Sequence, residues 1–454
     1  MRYDGSSIAR HTGGRLLADG PAGPVTTDSR ALTPGAWFVA LVGERFDGHR
    51  FLAQAREAGC AGAVVSAEAP EGWDRGLVRV GDTLRALQDI AAASRDAFNG
   101  PVVGITGSVG KTTTRALAAL ALGPGERVHA TAGNLNNHVG LPLTLLARPE
   151  DCTLLVLEMG MNAAGEIALL QRIGRPDVRL ITNVAPAHLE GLGSLEGVAR
   201  AKGELFDGAR AGDVLCVNAD DPRVAVLPHP PGVQALRYGR SQGCDLRLLD
   251  VGVAGGGAPG QPPWVRYTVA AGDGRHHGRV PGPGLHMAQN AIAALATVLA
   301  LGRPLGPAME AMEAYAPVGL RMRLQALPGG ITVLNDAYNA NPASMEAALA
   351  TLRSLPAARR IALLGDMLEL GPTEIALHRA LIEGALDGGI DLLGVCGPRM
   401  TAAAGGLGGA VLAAPDAESL ALAVAPLLAP GDLVLVKGSR GTAMERILRT
   451  LGDG

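Results

Sequence analysis

The sequence predicts an α/β protein of three domains: a small N-terminal α/β domain, a central P-loop-type domain with a parallel sheet, and a C-terminal doubly wound domain. Two observations predict this architecture. A glycine-rich loop at residues 106–114 lies between an apolar run and an alanine-rich stretch, and apolar runs alternate with helical stretches along the chain. The 454 residues are too many for one core. We place the domains at residues 1–83, 84–313 and 314–454.

The first domain is predicted from short apolar runs at residues 37–42, 63–65 and 77–80 and a helical stretch at 51–58. Strands and a helix mixed in this way are typical of a small α/β unit. The second domain begins near Val102 and the third near Tyr315, where the alternation of strands and helices starts again.

The glycine-rich loop has the layout of a phosphate-binding loop, because it follows a strand and opens a helix. Gly107 and Gly110 let backbone N–H groups surround phosphate oxygens, Lys111 can reach the β/γ-phosphates, and the Thr112 hydroxyl can bind Mg²⁺. The common pattern has a glycine five residues before Gly110, where this chain has Ile105, so the loop is a shorter variant. The nucleotide-binding residues predicted here are Thr106, Gly107, Ser108, Val109, Gly110, Lys111, Thr112 and Thr113.

Polar residues end the apolar runs of the second domain: Glu158 after 154–157, Asn183 after 180–182 and Asn218 after 214–217. Ligands of parallel sheets bind beyond these carboxyl ends. Glu158 is therefore a candidate second ligand of Mg²⁺ beside Thr112, or a strand-end carboxylate in solvent. His188, in the loop after Asn183, is either a metal or substrate contact or a structural histidine.

Lys202 lies on the apolar stripe of a helix predicted at residues 194–209, four residues from both Val198 and Phe206. A charged ammonium there must reach solvent along its own stem, find a partner, or be altered by its site. The functional interpretation is a lysine with a depressed pKa or a covalent modification.

Three further segments are candidate sites. The amide-rich stretch with Asn134, Asn136 and Asn137 is either a loop of Asx turns or a grip on a substrate. Residues 336–342 lie between a strand and a helix, where they either cap the helix or contact a ribose or phosphate. Residues 437–441 lie between another strand and helix and are suited to an anion. The Gly/Pro-rich segment 252–263 is predicted to be a surface loop.

Composition excludes several classes of function. The net charge is −3 and no basic tract occurs, so we expect no nucleic-acid partner. We find no membrane-span signal and no apolar region typical of a signal peptide at the N-terminus. The five cysteines have neither metal nor disulfide spacing, and we interpret them as core thiols in a reducing compartment.

Taken together, these segments resemble the Mur ligase family over essentially the whole chain. The short loop TGSVGKTTT and several ordered blocks carry the resemblance: TDSR, GERFDGHRF, TAGNLNNHVGLPLTLL, LEMGMNAAGEI, NVAPAHLEGLGSLEGVARAKGELF, LNDAYNANPASM, LLGDMLELG and VKGSRGTAME. The GNLNN, EMGMN and DAYNANP forms favour the member that adds D-Ala-D-Ala to UDP-MurNAc-tripeptide.

The resemblance implies an N-terminal domain that binds the UDP end of the precursor, a central ATPase and a C-terminal Rossmann-like domain. It implies ATP-dependent amide ligation through an acyl-phosphate, with two Mg²⁺ ions, in the cytoplasm of a bacterium and by a monomer. Lys111, His188 and a carbamylated Lys202 would be catalytic, and Thr112, Glu158 and His188 would hold metal. Nucleotide contacts would include Asn290, Arg321 and Asp336, and the remaining substrate-side candidates are Ser29, Asp47, His49, Asn134, Asn136, Asn137, Tyr338, Asn339, Lys437 and Ser439.

Two alternatives stay open from the sequence. One is another Mur-type ligase, which adds diaminopimelate or lysine. The other is a nucleotide-dependent switch or binding protein, but the guanine-specific Asn-Lys-x-Asp motif does not follow the phosphate loop, and a scaffold has no need of a lysine on an apolar stripe.

Overall fold

The computed structural model describes residues 1–44, 46–68, 70–254 and 263–452. The chain divides into two compact units. The first comprises Met1–Gly104, Gly125–Met161 and Glu166–Asp177, and the second comprises Ile105–Pro124, Asn162–Gly165 and Val178–Gly454.

Strands and helices alternate along most of the chain, as the apolar runs predicted. The strands are β1 (Arg15–Ala18), β2 (Val25–Thr26), β3 (Trp37–Val39), β4 (Val42–Gly43), β5 (Phe46–Asp47), β6 (Gly62–Val65), β7 (Gly76–Arg79), β8 (Val102–Thr106), β9 (Val128–Ala130), β10 (Leu154–Glu158), β11 (Val178–Ile181), β12 (Val214–Asn218), β13 (Gln234–Gly239), β14 (Leu246–Ala254), β15 (Trp264–Ala271), β16 (Gly274–Pro281), β17 (Arg323–Leu327), β18 (Ile331–Asp336), β19 (Arg359–Gly365), β20 (Leu392–Cys396), β21 (Val411–Ala414) and β22 (Asp432–Lys437).

The helices are α1 (Gly5–Thr12), α2 (Leu52–Glu57), α3 (Thr83–Asp96), α4 (Lys111–Ala121), α5 (Gly140–Leu146), α6 (Glu166–Gly174), α7 (Leu189–Leu192), α8 (Leu195–Asp207), α9 (His286–Ala300), α10 (Leu305–Met312), α11 (Pro342–Ser354), α12 (Glu374–Asp387), α13 (Pro398–Ala404), α14 (Ala417–Val424) and α15 (Glu445–Gly452). Within the described residues, no helix combines the length and the apolar character that crossing a membrane requires.

The first unit contains a five-stranded sheet with the order β1-β7-β6-β3-β2, in which only β1 is antiparallel to its neighbour. One face of this sheet packs Phe38, Ala63 and Val65 against Leu52 and Ala55 of α2. The small N-terminal α/β fold predicted from the short apolar runs is therefore confirmed. The same unit also contains the strands β9 and β10, which are parallel to each other.

The second unit contains the strand order β11-β12-β13-β14-β15-β16, parallel up to β14 and antiparallel beyond it. The antiparallel part was not predicted, because exposed polar residues such as Arg275, His277 and Arg279 interrupt the apolar pattern of β16. The predicted loop at 252–263 is wrong for residues 252–254, which belong to β14, and residues 255–262 lie outside the described part of the chain.

The second unit also contains a six-stranded sheet with the order β17-β18-β22-β19-β20-β21, parallel except for β17. Successive residues of one strand join different cores: Leu364 packs with the core around Leu349 and Ile382, while Leu363 packs with the core around Leu420. Both faces of the sheet are thus covered, as the continuous apolar runs predicted. This confirms a doubly wound C-terminal fold.

Candidate functional site

The phosphate-loop layout is present between β8 and α4 in the second unit. Gly107 has φ 148° and Gly110, which precedes α4, has φ 84°. A Cβ atom added to Gly107 would lie 1.8 Å from Thr182 Oγ1, and one added to Gly110 would lie 2.4 Å from Asn290 Oδ1. Both positions therefore require glycine for conformation and for space.

Asn183, at the end of the neighbouring strand, holds this loop in shape. Its Oδ1 accepts from the Val109 N–H at 2.9 Å, its Nδ2 donates to the Val109 carbonyl at 3.0 Å, and its own carbonyl accepts from the Ser108 N–H at 3.0 Å. Lys111 folds back over the loop and donates from Nζ to the Gly107 carbonyl at 2.6 Å. The sequence placed Asn183 at the nucleotide edge but did not predict this supporting role.

Three threonines of the loop, Thr106, Thr112 and Thr114, are buried. Thr106 is fully buried and its Oγ1 has no hydrogen-bond partner among the described residues, which is costly for a hydroxyl unless a ligand supplies one. Thr112 is 6% exposed at the start of α4. Thr113 hydrogen-bonds Tyr315, whose phenol pKa is raised by burial and lowered in part by this bond.

Lys202 lies on the buried face of α8, a helix that Ser194 caps by accepting from the Gly197 N–H. Its side chain is 1% exposed, and the flanking Val198 and Phe206 are fully buried. The interpretation in which the ammonium reaches solvent along its stem is therefore wrong. Burial, and next to it the positive charge of Lys111, hold the pKa of Lys202 well below its ordinary value.

Glu158 is the last residue of β10 in the first unit and is only 2% exposed. The alternative interpretation, a strand-end carboxylate in solvent, is therefore wrong. Asn136 donates from Nδ2 to Glu158 Oε1 at 2.8 Å, so the amide-rich loop supports this carboxylate. Asn137 has a local role, because its Oδ1 accepts from the Gly140 N–H at the start of α5. Asn134 is exposed. The Asx-turn interpretation thus holds at Asn137, and the substrate-contact interpretation stays a prediction.

His188 immediately precedes α7 and has a left-handed backbone with φ 56°. Its Nδ1 lies 2.5 Å from Glu369 Oε2, and this hydrogen bond lowers the pKa of the Glu369 carboxyl. Glu369 lies 181 positions further along the chain, so no local pattern could pair the two. Glu369 lies within the LLGDMLELG block of the family resemblance, but no signal in the sequence marks it as a site residue.

Asp336 and Lys437 form a buried ion pair at the adjacent ends of the parallel strands β18 and β22. Lys437 Nζ lies 2.5 Å from Asp336 Oδ2 and 2.8 Å from the Asn339 carbonyl oxygen. The Met322 N–H donates to Asp336 Oδ1 at 3.1 Å. The Lys437 charge is therefore already balanced by Asp336 in this structure.

The residues around this ion pair divide between structural and exposed positions. Ser439 Oγ accepts from the Leu368 N–H at 2.9 Å, and Asn341 caps α11 through a capping box, which confirms the helix-capping interpretation there. The Arg321 guanidinium carbon lies 3.7 Å from the centroid of the Tyr338 ring. This cation–π contact brings two predicted ligand contacts together.

His286, the first residue of α9, was missed because it resembles an ordinary helix-start residue. Burial lowers its pKa, the carboxylate of Asp336 raises it and the ammonium of Lys437 lowers it. The start of α9 therefore lies within electrostatic range of the ion pair. One turn later, Asn290 Oδ1 accepts from the Thr114 hydroxyl at 3.3 Å, so α9 contacts the phosphate-loop helix.

The candidates in the N-terminal domain support one another. Asp47 Oδ1 accepts from the His49 backbone N–H at 3.0 Å and lies 2.7 Å from His49 Nδ1. His49 Nε2 accepts from the Ser66 N–H at 3.0 Å, so both ring nitrogens are engaged within the protein. The carbonyl of Ser29 accepts from Gln54 Nε2 at 2.9 Å.

Each unit contains oxygen donors that suit Mg²⁺. In the described parts of the chain, no three His, Cys, Asp or Glu side chains cluster as a metal cage. Mg²⁺ is commonly held by only one or two carboxylates together with phosphate oxygens and waters. The first unit has the buried Glu158 carboxylate, and the second has the Thr112 hydroxyl, together with His188 as a nitrogen donor.

Three family models match the chain in succession. The Mur ligase family catalytic domain matches residues 24–95, the Mur ligase middle domain residues 105–298, and the Mur ligase glutamate ligase domain residues 320–440. The chain belongs to the Mur ligase family. The family resemblance inferred from the short phosphate loop and the ordered blocks is thus confirmed, as is the prediction of an ATP-dependent ligase of three domains.

Relatives with one shared name cover almost the whole chain. The UDP-N-acetylmuramoyl-tripeptide–D-alanyl-D-alanine ligase of Bacillus subtilis is 37% identical over 94% of this Mur ligase and 92% of its own length. The ligase of that name from Escherichia coli is 36% identical over 94% and 93%.

Solved structures give the same result. MurF from Acinetobacter baumannii superposes with a TM-score of 0.91 at 29% identity and covers 100% of this chain and 99% of its own. MurF from Thermotoga maritima, solved in complex with ADP, has a TM-score of 0.83 at 28% identity over 95% and 97%.

Proposed function

We propose that this Mur ligase joins D-Ala-D-Ala to UDP-MurNAc-tripeptide at the expense of ATP, which gives the UDP-MurNAc-pentapeptide used in peptidoglycan synthesis. The observation that carries the proposal is a phosphate loop whose Lys111 lies near a second, fully buried lysine, Lys202, in a chain related over its whole length to ligases of this name. A protein that only bound nucleotide would gain nothing from the cost of burying Lys202.

The proposed reaction has two steps, phosphoryl transfer and then amide formation. A carboxylate oxygen of the peptide attacks the γ-phosphorus of ATP, which gives an acyl-phosphate and ADP. The amine of D-Ala-D-Ala then attacks the acyl carbon, and the tetrahedral intermediate expels inorganic phosphate while the amine loses a proton. Lys111 stabilises the charge on the phosphoryl oxygens, and the N-terminus of α4 adds partial positive charge.

Thr112, Glu158 and His188 would hold Mg²⁺, and the family implies two ions. Bound Mg²⁺ would neutralise the charge on the phosphate oxygens. Asn136 supports this assignment because it binds Glu158 Oε1 and so limits how the buried carboxylate can turn.

Lys202 is proposed to act as a carbamate. Its neutral amine would attack CO₂ and lose a proton, which converts an uncharged side chain into an anionic carbamate. The depressed pKa of Lys202 supports this, because only the neutral amine is nucleophilic. A carbamate would also change the unfavourable charge beside Lys111 into an attractive one.

The substrate contacts are proposed by position. The domain assigned to the UDP end contains Ser29, Asp47 and His49. The ring of His49 is bound to Asp47 and to the Ser66 backbone, so its proposed role is to hold the loop in place. The residues assigned to the nucleotide are Asn290, Arg321 and Asp336. The predicted substrate side is completed by Asn134, Asn136, Asn137, Tyr338, Asn339, Lys437 and Ser439, of which the last two shape the backbone around the site.

The proposal also includes three domains, with bounds at residues 1–83, 84–313 and 314–454. It further includes a monomeric state and a bacterial cytoplasmic location. Four of the five cysteines are buried free thiols and Cys244 is half-buried, which supports a reducing compartment.

Phosphate release from ATP tests the proposed function directly. With UDP-MurNAc-tripeptide present, we expect steady release only when D-Ala-D-Ala is added, with one pentapeptide formed for each phosphate. Release with diaminopimelate or lysine as the added amine, on the corresponding shorter precursor, would instead assign the chain to a sister reaction. Substrate-independent hydrolysis would favour a nucleotide-dependent switch.

A further inference from the structure

The contact between His188 and Glu369 has a geometry that determines how the imidazole is presented. Glu369 Oε2 lies 2.5 Å from His188 Nδ1. A carboxylate oxygen at this distance accepts a hydrogen bond from an N–H group. In the neutral imidazole, Nδ1 therefore carries the hydrogen and Nε2 has the free lone pair. The side chain of His188 is 22% exposed and that of Glu369 52%.

The backbone around the contact is unusual on both sides. Five non-glycine residues in the described part of the chain have positive φ, and two of them are His188 at 56° and Glu369 at 64°. The Glu190 N–H donates to the Glu369 carbonyl at 3.2 Å, which joins the two segments a second time. Left-handed backbone at non-glycine residues costs of order 1 kcal/mol or more, and such residues cluster at functional sites.

We propose that Glu369 is a positioning residue, which holds His188 as the Nδ1–H tautomer so that Nε2 can bind a metal ion. The inference rests on the proposed function, in which His188 is a Mg²⁺ ligand. Metal-binding histidines commonly donate their second ring N–H to a carboxylate, and this partner fixes both the tautomer and the ring orientation.

Glu369 belongs to the segment assigned to the third domain, whereas His188 belongs to the segment assigned to the second. The orientation of His188 therefore depends on contact between these two segments, which lie in one compact unit. A residue far along the chain thus contributes to the metal site without touching the metal.

The first test reads the tautomer without metal or substrate. The protein is labelled with ¹⁵N-histidine, and the His188 signals are assigned by their loss in His188→Gln. At a pH where imidazole is neutral, we expect the Nδ1–H tautomer in the wild type and in Glu369→Gln, whose amide oxygen can still accept. Glu369→Ala should shift His188 toward the Nε2–H form, while the control Glu190→Ala, which removes a nearby exposed carboxylate, should leave it unchanged. An Nε2–H tautomer in the wild type would overturn the inference, as would the same tautomer in Glu369→Ala as in the wild type.

The second test measures phosphate release against Mg²⁺ concentration. Glu369→Ala should need roughly 10- to 100-fold more Mg²⁺ than the wild type for half-maximal rate. Glu369→Gln should need a Mg²⁺ concentration much closer to that of the wild type. A wild-type Mg²⁺ requirement in Glu369→Ala would refute the positioning role. If the wild type itself releases no phosphate with D-Ala-D-Ala, the proposed function fails, while the tautomer measurement still decides the role of Glu369.

Discussion

Replacing Lys202 by methionine separates stability from activity at the buried lysine. Methionine has a similar length and no charge, so Lys202→Met removes a buried amino group that makes no hydrogen bond or ion pair among the described residues while keeping the packing between Val198 and Phe206. Burying a polar group without a partner costs about 1–3 kcal/mol. The variant should therefore be more stable by that amount, and its melting temperature should rise by roughly 1–3 °C if the chain melts as one unit.

The pH dependence of this gain gives a sharper check. Burial depresses the pKa of Lys202 in the folded protein, whereas an unfolded lysine keeps its proton up to about pH 10.4. Between these two pKa values the unfolded state binds more protons, so the stability of the wild type rises with pH. The advantage of Lys202→Met should shrink as the pH rises through this window.

Thermal unfolding in buffer freed of CO₂ measures the effect, since CO₂ would allow a carbamate to form in the wild type. Added bicarbonate should shift the wild-type transition and leave Lys202→Met unchanged. Turnover of the variant should fall by about 100- to 1,000-fold, as expected when a charged group that stabilises a transition state is lost. A less stable variant would contradict the burial argument, and undiminished turnover would refute the catalytic role of Lys202.

Three other substitutions test the remaining parts of the site. Lys111→Ala should abolish ATP turnover with an unchanged far-UV circular dichroism spectrum, and a normal rate of phosphate release would remove the basis for the loop assignment. Asn183→Ala should weaken ATP binding through the loop that it supports, as measured by calorimetry, and unaltered affinity would show that the loop holds its shape alone. Asp336→Ala leaves Lys437 buried without its carboxylate and should destabilise the protein by about 3–5 kcal/mol in urea unfolding. Adding Lys437→Met should restore much of this loss, and strictly additive effects would argue that the pair is not coupled.

Much of the fold follows from local patterns. Continuous apolar runs ending at Glu158, Asn183 and Asp336 indicated buried parallel strands, and the structure has strands that end at or next to each of these residues. The antiparallel strands β15 and β16 did not follow, because edge strands with one solvated face alternate polar and apolar residues and lack a continuous apolar run.

Within the site, short sequence patterns were sufficient to predict the role or burial of some residues but not of others. The phosphate loop was predictable because glycine, lysine and threonine act within one strand–loop–helix segment. The burial of Lys202 was predictable because helical spacing places it on the apolar stripe. His49 was predicted as a substrate contact, yet both its ring nitrogens are engaged by Asp47 and Ser66, which spacing alone does not reveal.

The family, the three-part α/β organisation and the chemical types of the site could be predicted from the sequence, because these depend on short segments whose conformation is local. Tertiary structure alone decided which charges meet. Asp336 pairs with Lys437 because β18 and β22 are neighbours in register, and His188 meets Glu369 across 181 positions. Such pairs are set by how distant segments pack, and a linear pattern carries no information about that distance.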